Sequence, residues 1–525
     1  MCQHTLVNHF LEQSAERLPG KTALVHNGQR LTFAEIDSRV AALASGLAEL
    51  GVRRGDRVAV FMDNSVEAVL SLFAALKAGA AFLMINHTTK KDKLEYILND
   101  CSAKVLLAQG IRAPLLDGLK CPALRAVIVS GTGPNGSERP FVDFEALLRS
   151  GARAADPNCI DLDLASIMYT SGSTGRPKGV MLSHLNMVSA ARSITTYLQN
   201  TEYDVIMNVL PLSFDYGLYQ VLMGFKMGAT VVLEKSFAYP YQILDTMVRE
   251  EVTGFPGVPS IFALLLRLKD IGSVDLHALR YITNTAAALP KSHIQKLRKL
   301  FPGVRIYSMY GLTECKRVSY LPPEELDRRP TSVGKGMPNE EVYVVNEQGE
   351  RAAANEVGEL VVRGANVMLG YWNLPEETAR CLRPGRYPGE RVFHTGDLFF
   401  MDEEGYLHFV ARKDDIIKSG GEKVSPREIE NILYAHDDVI EAAVVGVPDE
   451  ILGQAIKAYV VPERGVALTE KDVLKYCAQR LESFMVPKQV EIRETLPKTA
   501  TGKIDKKELK LEPAKEQAES IQTNL

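Results

Sequence analysis

The segment Tyr169–Val180 reads YTSGSTGRPKGV. Six small or hydroxyl-bearing residues stand together ahead of Lys178: Thr170, Ser171, Gly172, Ser173, Thr174 and Gly175. Backbone N–H groups, hydroxyls and one cation can converge on an anion, so this composition predicts a phosphate-binding loop. The common signature G-x-x-x-x-G-K-[ST] does not fit, because counting from Gly172 puts Pro177 at the second glycine and Gly179 after the lysine. A nucleotide held by this loop therefore needs another scaffold.

Around the loop, the chain alternates between helical and extended patterns. The apolar runs SIMY and GVML flank the loop and predict two strands, which puts the loop at a strand end. Helix, strand, helix and strand are predicted in turn over 36–51, 57–62, 65–79 and 80–85, and apolar strands recur at 228–234, 252–258 and 279–285. Apolar strands that alternate with helices predict crossover units, parallel sheets and an α/β fold.

The pattern changes twice toward the C-terminus. From about residue 339, short strands such as EVYVVNE, GELVVRG and GYLHFVARK predict a small antiparallel barrel or sheet. After residue 415, a compact α/β module is predicted, with a helix at 426–436, strands at 440–447 and 455–461, a helix at 470–481 and a strand at 489–496. The polar end of the chain after Leu509 predicts a frayed tail.

Composition excludes several classes of protein. The 525 residues carry a net charge of −4 with acids and bases interspersed, which argues against a nucleic-acid partner. The first twenty residues have no long apolar core, so no signal peptide is predicted. No uncharged apolar run approaches the roughly 20 residues of a membrane span. The seven scattered cysteines lack metal-ligand spacing, so we expect reduced thiols in a cytoplasmic protein.

Four further motifs contain residues that could bind a ligand or take part in catalysis. Thr313 and Glu314 stand just before the last residue of SMYGLTEC, where a hydroxyl beside a carboxylate suits a phosphate contact next to a Mg²⁺ ligand. Asp397 follows a glycine turn in FHTGDL and could accept hydrogen bonds from a ribose diol. Arg412 precedes an acidic pair and a Gly-Gly turn, and Lys503 stands in TATGKID near the C-terminus.

In this order, the five motifs resemble those of the AMP-forming adenylate ligase family, which includes acyl-CoA synthetases, peptide-synthetase adenylation domains and beetle luciferase. The resemblance covers about residues 5 to 510. It implies a large N-terminal domain with doubly wound, mostly parallel sheets and a barrel-like part over 1–411, and a hinge at 412–415. A small mobile α+β domain over 416–512 and a polar tail over 513–525 would follow.

The resemblance also implies how ATP would be held. The loop from Thr170 to Lys178 would bind the β- and γ-phosphates, Thr313 would touch the α-phosphate and Glu314 would bind Mg²⁺. Asp397 and Arg412 would hold the ribose, and Lys503 would bridge the substrate carboxylate and the α-phosphate. The segments 284–288 and 309–310 would flank the adenine, so that the ATP-binding set also includes Asn284, Thr285, Ala286, Met309, Tyr310 and Gly311.

For the acid and the thiol, the resemblance implies two further groups. The acid pocket would be lined by Phe214, Asp215, Tyr216, Tyr219, Gly257, Ile282, Asn284, Met309, Arg317 and Val318. The thiol tunnel would include Ser419, Gly420 and Gly421, and Asp414 would be the pivot of the small domain. The chain departs from the family where Ala411 replaces the glycine of the G-R-x-D motif, and where Phe214 and Asp215 replace the histidine common in acyl-CoA synthetases.

Because of these departures, the sequence does not identify the substrate. An aspartate in the pocket suits a substrate ammonium, as in amino-acid-activating relatives, or it is solvated or internally paired. Arg317 could neutralise Asp215 or meet a second acid group on the substrate. The predicted activity is ATP-dependent, Mg²⁺-dependent adenylation of a carboxylic acid followed by transfer to CoA; the alternative acceptor is a carrier-protein phosphopantetheine. Luciferase-like oxygenation has no positive sign, and an inactive regulator is disfavoured by the intact Lys178, Glu314 and Lys503.

Overall fold

The computed structural model describes residues 5–132, 141–149, 156–171, 176–287, 289–419, 422–449, 451–499 and 502–511. The α-helices in these residues are α1 His9–Arg17, α2 Phe33–Glu49, α3 Val66–Lys77, α4 Lys91–Asp100, α5 Ala113–Leu116, α6 Phe144–Arg149, α7 His184–Tyr197, α8 Asp215–Met227, α9 Pro240–Arg249, α10 Pro259–Leu265, α11 Lys291–Leu300, α12 Pro375–Cys381, α13 Pro426–Tyr434 and α14 Glu470–Ala478. The helices predicted at 36–51 and 65–79 are α2 and α3, each with a hydroxyl N-cap, Thr32 and Ser65.

The strands follow the same chain order. The first nine are β1 Thr22–His26, β2 Gln29–Thr32, β3 Arg57–Phe61, β4 Ala81–Met84, β5 Val105–Gln109, β6 Ala126–Ser130, β7 Phe141–Asp143, β8 Leu164–Ser171 and β9 Pro177–Ser183. The next seven are β10 Val205–Asn208, β11 Thr230–Leu233, β12 Gly254–Gly257, β13 Tyr281–Asn284, β14 Arg305–Tyr310, β15 Ser319–Leu321 and β16 Ser332–Gly336. The remainder are β17 Glu340–Val345, β18 Gly358–Gly364, β19 Gly370–Tyr371, β20 Leu382–Pro384, β21 Arg391–Met401, β22 Leu407–Arg412, β23 Ile417–Ser419, β24 Glu422–Val424, β25 Val439–Asp449, β26 Gly453–Pro462 and β27 Gln489–Ile492.

One large sheet carries the two strands predicted around the opening loop. Its strand order is β19-β9-β8-β4-β3-β5-β6-β7, and the strands from β8 to β7 in this order run parallel. Strand β9 turns back antiparallel to β8, with Thr170 opposite Lys178. The loop residues between the two strands, Gly172, Ser173, Thr174 and Gly175, lie outside the described residues. The prediction of two flanking strands is confirmed.

The second large sheet joins a parallel half to an antiparallel half. Strands β1, β11, β10, β12, β13 and β14 are parallel neighbours in that order. From β15 onward, the sheet continues antiparallel through β16, β22, β21 and β18 to β17. The barrel-like part expected after residue 339 is therefore an open extension of this sheet. Within the described chain, β17 pairs with β18 alone, so this part does not close.

A single apolar core connects the two large sheets through the helices between them. It includes Val58 and Val60 of β3, Val231 of β11, and Leu43 and Phe73 of the helices α2 and α3. Since parallel sheets with helices on their faces form the doubly wound arrangement, the predicted fold of the large domain is confirmed.

The C-terminal residues form a separate small α+β domain. Strands β24, β23, β26 and β25 are antiparallel, β27 pairs parallel to β26, and α13 and α14 pack on this sheet over their own core. The Ser425 hydroxyl donates to the Val410 carbonyl at 2.7 Å, and the Ser260 hydroxyl donates to the Gly502 carbonyl at 3.1 Å. These two bonds dock the small domain on the large one. In the described part of the chain, every helix is too short or too polar to cross a membrane.

Candidate active site

The lysine of the opening loop lies in a polar cluster at the end of β9. Lys178 Nζ is 2.6 Å from Glu377 Oε2 of α12 and 5.4 Å from the centre of the Tyr371 ring. The Tyr371 hydroxyl in turn donates to Glu314 Oε1 at 2.8 Å. This links the lysine of one predicted motif to the carboxylate of another, through two residues that no motif contained.

Glu314 lies in a tight turn after the last parallel strand, β14. Gly311 begins the turn, and a Cβ atom there would lie 2.3 Å from the Lys316 carbonyl oxygen. The Lys316 backbone has a φ of +69°, in the left-handed region, and its N–H donates to the Leu312 carbonyl at 2.7 Å. The turn therefore needs glycine at 311 and presents Thr313 and Glu314 at the carboxyl end of the sheet, where α/β folds bind ligands.

The proposed ribose pair, Asp397 and Arg412, lies on neighbouring strands. The two residues are register partners on β21 and β22, and Arg412 Nε is 3.3 Å from Asp397 Oδ1. The Tyr310 hydroxyl donates to Asp397 Oδ2 at 2.6 Å. Burial raises the pKa of the Asp397 carboxyl, and the Arg412 guanidinium opposes this rise. The structure thus brings together Asp397 and Arg412, predicted for the ribose, with Tyr310, predicted for the adenine.

The segment predicted to flank the adenine has buried polar atoms without partners. Asn284, at the end of β13, is fully buried and its Nδ2 donates to the Ala287 carbonyl at 2.9 Å. Asn284 Oδ1 and Thr285 Oγ1 have no hydrogen-bond partner among the described residues. Ala286 has a φ of +77°. Such buried unpaired groups fit a bound ligand with its own polar edge, so these residues can accommodate a nucleotide base. Ala288 lies outside the described residues.

Lys503 reaches this site from the small domain. The preceding Gly502 has a φ of +80°, which favours glycine, and its carbonyl accepts the bond from Ser260. Lys503 Nζ lies 6.0 Å from the centre of the Phe214 ring. Burial lowers the pKa of the Lys503 ammonium, as does Arg412, while Asp215 and Asp397 act in the opposite direction. The lysine therefore lies beside Phe214 of the predicted acid pocket and feels the charge of Asp397 in the proposed ribose pair.

The predicted acid pocket has a charged floor. Asp215 and Arg317 are both buried, with Arg317 Nη1 3.9 Å from Asp215 Oδ2. The Arg317 guanidinium lies 4.5 Å above the Tyr216 ring, and the Tyr216 hydroxyl donates to the Thr283 carbonyl at 2.7 Å. The remaining predicted lining residues are buried around these groups: Tyr219, Gly257, Ile282, Met309 and Val318.

Sequence reasoning missed a second buried cation in this pocket. Lys316 is 1% exposed, and its ammonium contacts Met168 Sδ at 2.8 Å and lies 5.7 Å from the Tyr219 ring centre. Burial lowers the Lys316 pKa to about 8. The only sequence signal was its position two residues after Glu314. Glu377 and Tyr371 were also missed, because they are far along the chain from the loop that they contact.

The structure describes only some of the residues predicted for the hinge and the thiol tunnel. The Asp414 backbone lies in the 3₁₀ turn Lys413–Asp415 that joins β22 to the small domain. Flanking ion pairs anchor this turn on both sides, with Lys413 Nζ 2.8 Å from Glu359 Oε2 and Asp415 Oδ1 2.9 Å from Lys510 Nζ. Ser419 is buried at the end of β23. Gly420 and Gly421 lie outside the described residues, as does the tail 513–525.

Known proteins resemble the chain over almost its whole length. Residues 11–372 match the model of the AMP-binding enzyme family, and residues 428–503 match that of the AMP-binding enzyme C-terminal domain. A long-chain-fatty-acid–CoA ligase of Bacillus subtilis (strain 168) is 32% identical, and the alignment covers 95% of this chain and 93% of that protein. An oxalate–CoA ligase of Arabidopsis thaliana is 33% identical over 95% of this chain and 96% of its own.

Among solved structures, the anthranilate CoA ligase AuaEII in complex with anthranoyl-AMP has a TM-score of 0.88 to this chain. The two share 30% identity, and the match covers 99% of each chain. The two family models match in the order of a large N-terminal and a small C-terminal domain, in agreement with the fold. The chain belongs to the AMP-binding enzyme family, and it is an enzyme of its AMP-forming acyl-CoA and aryl-CoA ligase branch, which uses ATP.

Proposed function

We propose that this chain joins a compact carboxylic acid to the α-phosphate of ATP, releases pyrophosphate, and then transfers the acyl group to the thiol of CoA. The observation that carries the proposal is the position of Lys503. The small domain holds it beside Phe214 and under the influence of Asp215 and Asp397, so that one ammonium faces both the acid pocket and the ribose pair. A cation at that point would stabilise negative charge as carboxylate and phosphate approach each other.

The nucleotide would lie along the carboxyl ends of the parallel strands. Lys178 and the loop after Thr170 would bind the outer phosphates, and Thr313 would contact the α-phosphate. Asp397 and Arg412 would hold the ribose. For the adenine, the unpaired Asn284 Oδ1 and Thr285 Oγ1 supply two acceptors, since both lack a partner in the described part of the chain.

Glu314 fits the metal ligand that such a reaction needs. Its Oε1 accepts from Tyr371, which leaves the other oxygen for a cation. The described residues contain no cluster of three or more His, Cys, Asp or Glu side chains that could bind a metal. One carboxylate together with substrate phosphates and water is the arrangement that Mg²⁺ favours. Bound there, Mg²⁺ would neutralise phosphate charge.

Transfer to the thiol would require the small domain to turn about Asp414, after which Ser419, Gly420 and Gly421 would line the thiol path. The proposal also divides the chain into a large domain over residues 1–411 and a small mobile domain over residues 416–512. CoA is preferred as the acceptor because the relatives named above are CoA ligases. A carrier-protein phosphopantetheine is the alternative. The cytosol remains the proposed compartment, supported by the free state of all six described cysteines.

The proposal is tested by two assays with one panel of acids. Pyrophosphate exchange reports adenylation, and AMP release that depends on added CoA reports transfer. We expect at least one compact acid to support both, and CoA to exceed a carrier-bound thiol as acceptor. Exchange without any CoA-dependent AMP release would favour the carrier-protein alternative. The absence of exchange with every acid in the panel would contradict the proposal.

Removing the Glu314 charge should weaken metal dependence. Glu314→Gln keeps the size of the side chain but offers Mg²⁺ a neutral oxygen, so we expect kcat/KM to fall about 10²-fold and the Mg²⁺ requirement to rise. Cys315→Ala changes the buried neighbour and should have a much smaller effect. The measurement is pyrophosphate exchange across a magnesium titration. Equal losses in the two variants would show that the turn has only a structural role.

Glu377 should compete with ATP for Lys178. The ion pair between them must open before phosphates can reach the ammonium, so the competent state is only a fraction of the free enzyme. Glu377→Gln should therefore lower the KM for ATP about 2–5-fold, with kcat nearly unchanged. Glu376→Gln, at the exposed neighbouring position, is the control and should leave this KM unchanged. An increase in KM would mean that Glu377 assists nucleotide binding.

A further inference from the structure

The predicted acid pocket contains buried cations that lack a close carboxylate partner. Three buried or inward-reaching cations, Lys316, Arg317 and Lys503, are within the electrostatic influence of Asp215, while Glu314 also acts on Lys316 and Asp397 on Lys503. The substrate carboxylate that reacts would supply the counter-charge for the Lys503 ammonium. Asp215 stands at the first position of α8, where the N-terminal end of the helix dipole also stabilises its charge. The remaining two cations, Lys316 and Arg317, have no carboxylate within hydrogen-bond distance among the described residues.

Asp215 only partly compensates the Arg317 guanidinium, because it accepts no hydrogen bond from it. Their closest approach is 3.9 Å, which is too long for a hydrogen bond. Arg317 Nη1 donates instead to the Lys316 carbonyl at 2.8 Å, and Arg317 Nε has no partner among the described residues. Arg317 is about 3% exposed, so bulk water does not reach the guanidinium to supply the missing acceptor. A buried guanidinium with an unpaired N–H is costly unless a ligand completes it.

Lys316 is the less satisfied of the two cations. In the part of the chain that the structure describes, no carboxylate oxygen lies within 4.0 Å of its ammonium, and its close contacts are the Met168 thioether and the face of Tyr219. A thioether is a weak acceptor and an aromatic face is a weak partner for a buried charge. Lys226 on α8 offers a comparison, because it is also largely buried but donates to the Thr195 hydroxyl at 2.9 Å.

We propose that Lys316 and Arg317 form an anion-binding subsite for a second acidic group on the substrate, which makes the substrate class short dicarboxylic acids. This inference rests on the proposed function and identifies the acid that the same site activates. One carboxylate reacts at Lys503, and the other is bound by Lys316 and the free Nε of Arg317. A long alkyl chain is disfavoured, because it would have to lie against two buried cations without compensating them.

The alternative occupant is an amino acid, whose ammonium would pair with Asp215. Charge repulsion disfavours it, because the substrate ammonium would join the buried cations Lys316 and Arg317, neither of which has a carboxylate within hydrogen-bond distance in the described part of the chain. The test therefore includes amino-bearing acids beside the diacids. Preference for an amino acid over its unsubstituted analogue would overturn the assignment and give the recognition role to Asp215.

The experiment compares matched acids in pyrophosphate exchange: butanoate, succinate and 4-aminobutanoate, then pentanoate and glutarate, then benzoate and isophthalate. For at least one skeleton, we expect the wild-type kcat/KM to be at least about tenfold higher for the diacid. Lys316→Met should lower this ratio about tenfold or more, mainly through KM, and Lys316→Arg should restore part of it. Lys226→Met, at a partly buried lysine that donates to a hydroxyl, should leave the ratio unchanged.

Each failure has a separate meaning. Exchange with the monoacids without preference for any diacid would overturn the inference and leave the proposed function intact. An unchanged ratio in a folded Lys316→Met protein would do the same. If no acid supports exchange, the proposed function fails, and stabilisation of the wild-type protein by succinate or glutarate in thermal unfolding then decides the subsite on its own. If Lys316→Met does not fold, the wild-type comparison still tests the inference.

Discussion

Replacing Lys503 with alanine should lower pyrophosphate exchange by about 10²–10³-fold. The structure holds this ammonium beside Phe214 and within the electrostatic influence of Asp215 and Asp397, where we propose that two anions meet during adenylation. A single preorganised donor at developing charge is worth about 3–4 kcal/mol of transition-state stabilisation, which corresponds to this factor. Acyl transfer from a supplied acyl-adenylate should remain largely intact, because Lys503 would not face that reaction after the small domain turns.

The control for this experiment is Lys488→Ala. Lys488 is in the same small domain but on its surface, and its ammonium is 2.6 Å from Asp449 Oδ2. Its removal should leave exchange close to the wild-type rate. Near-normal exchange in Lys503→Ala would reject the role assigned to Lys503, even if the chain is a ligase.

Placing proline at position 414 should separate the two half-reactions. Proline fixes φ near −65° and also restricts the residue before it, so the turn Lys413–Asp415 should lose the freedom to rotate. The conformation described here already has Lys503 in the site. Asp414→Pro should therefore keep adenylation within about fivefold of wild type and lower CoA-dependent AMP release by about 10²-fold or more.

Asp414→Ala is the matched control, since it removes the same side chain but leaves the backbone free. It should retain both half-reactions better than the proline variant does. The measurements are pyrophosphate exchange and CoA-dependent AMP release on the same preparation. A loss of both activities by the same factor in Asp414→Pro would remove the support for a hinge at this residue.

Local sequence patterns determined much of the architecture. The apolar runs around the opening loop became β8 and β9, and the helical periods at 36–51 and 65–79 became α2 and α3. These features depend on side-chain period and capping within a few residues, which a sequence displays directly. For the strands after residue 339, the sequence predicted either a small barrel or a sheet, because short alternating strands do not indicate whether a sheet closes. Pairing of β22 with β16 joins these strands to the large sheet, and β17 at the far edge pairs only with β18 among the described strands, so this part is an open extension.

The sequence also supplied the order of motifs that identified the family, and with it the candidate ATP residues. Three features depended on tertiary structure alone. Lys178 meets Glu377 across 199 residues, and Lys503 enters the site because Gly502 contacts Ser260 across 242 residues. Lys316 lies buried beside the Tyr219 ring with no carboxylate oxygen within 4.0 Å of its ammonium among the described residues. Such contacts are decided by strand register, domain docking and burial, which involve residues far apart in the chain. The composition of a motif therefore predicted which groups could do the chemistry, whereas packing decided which charges remain without a partner.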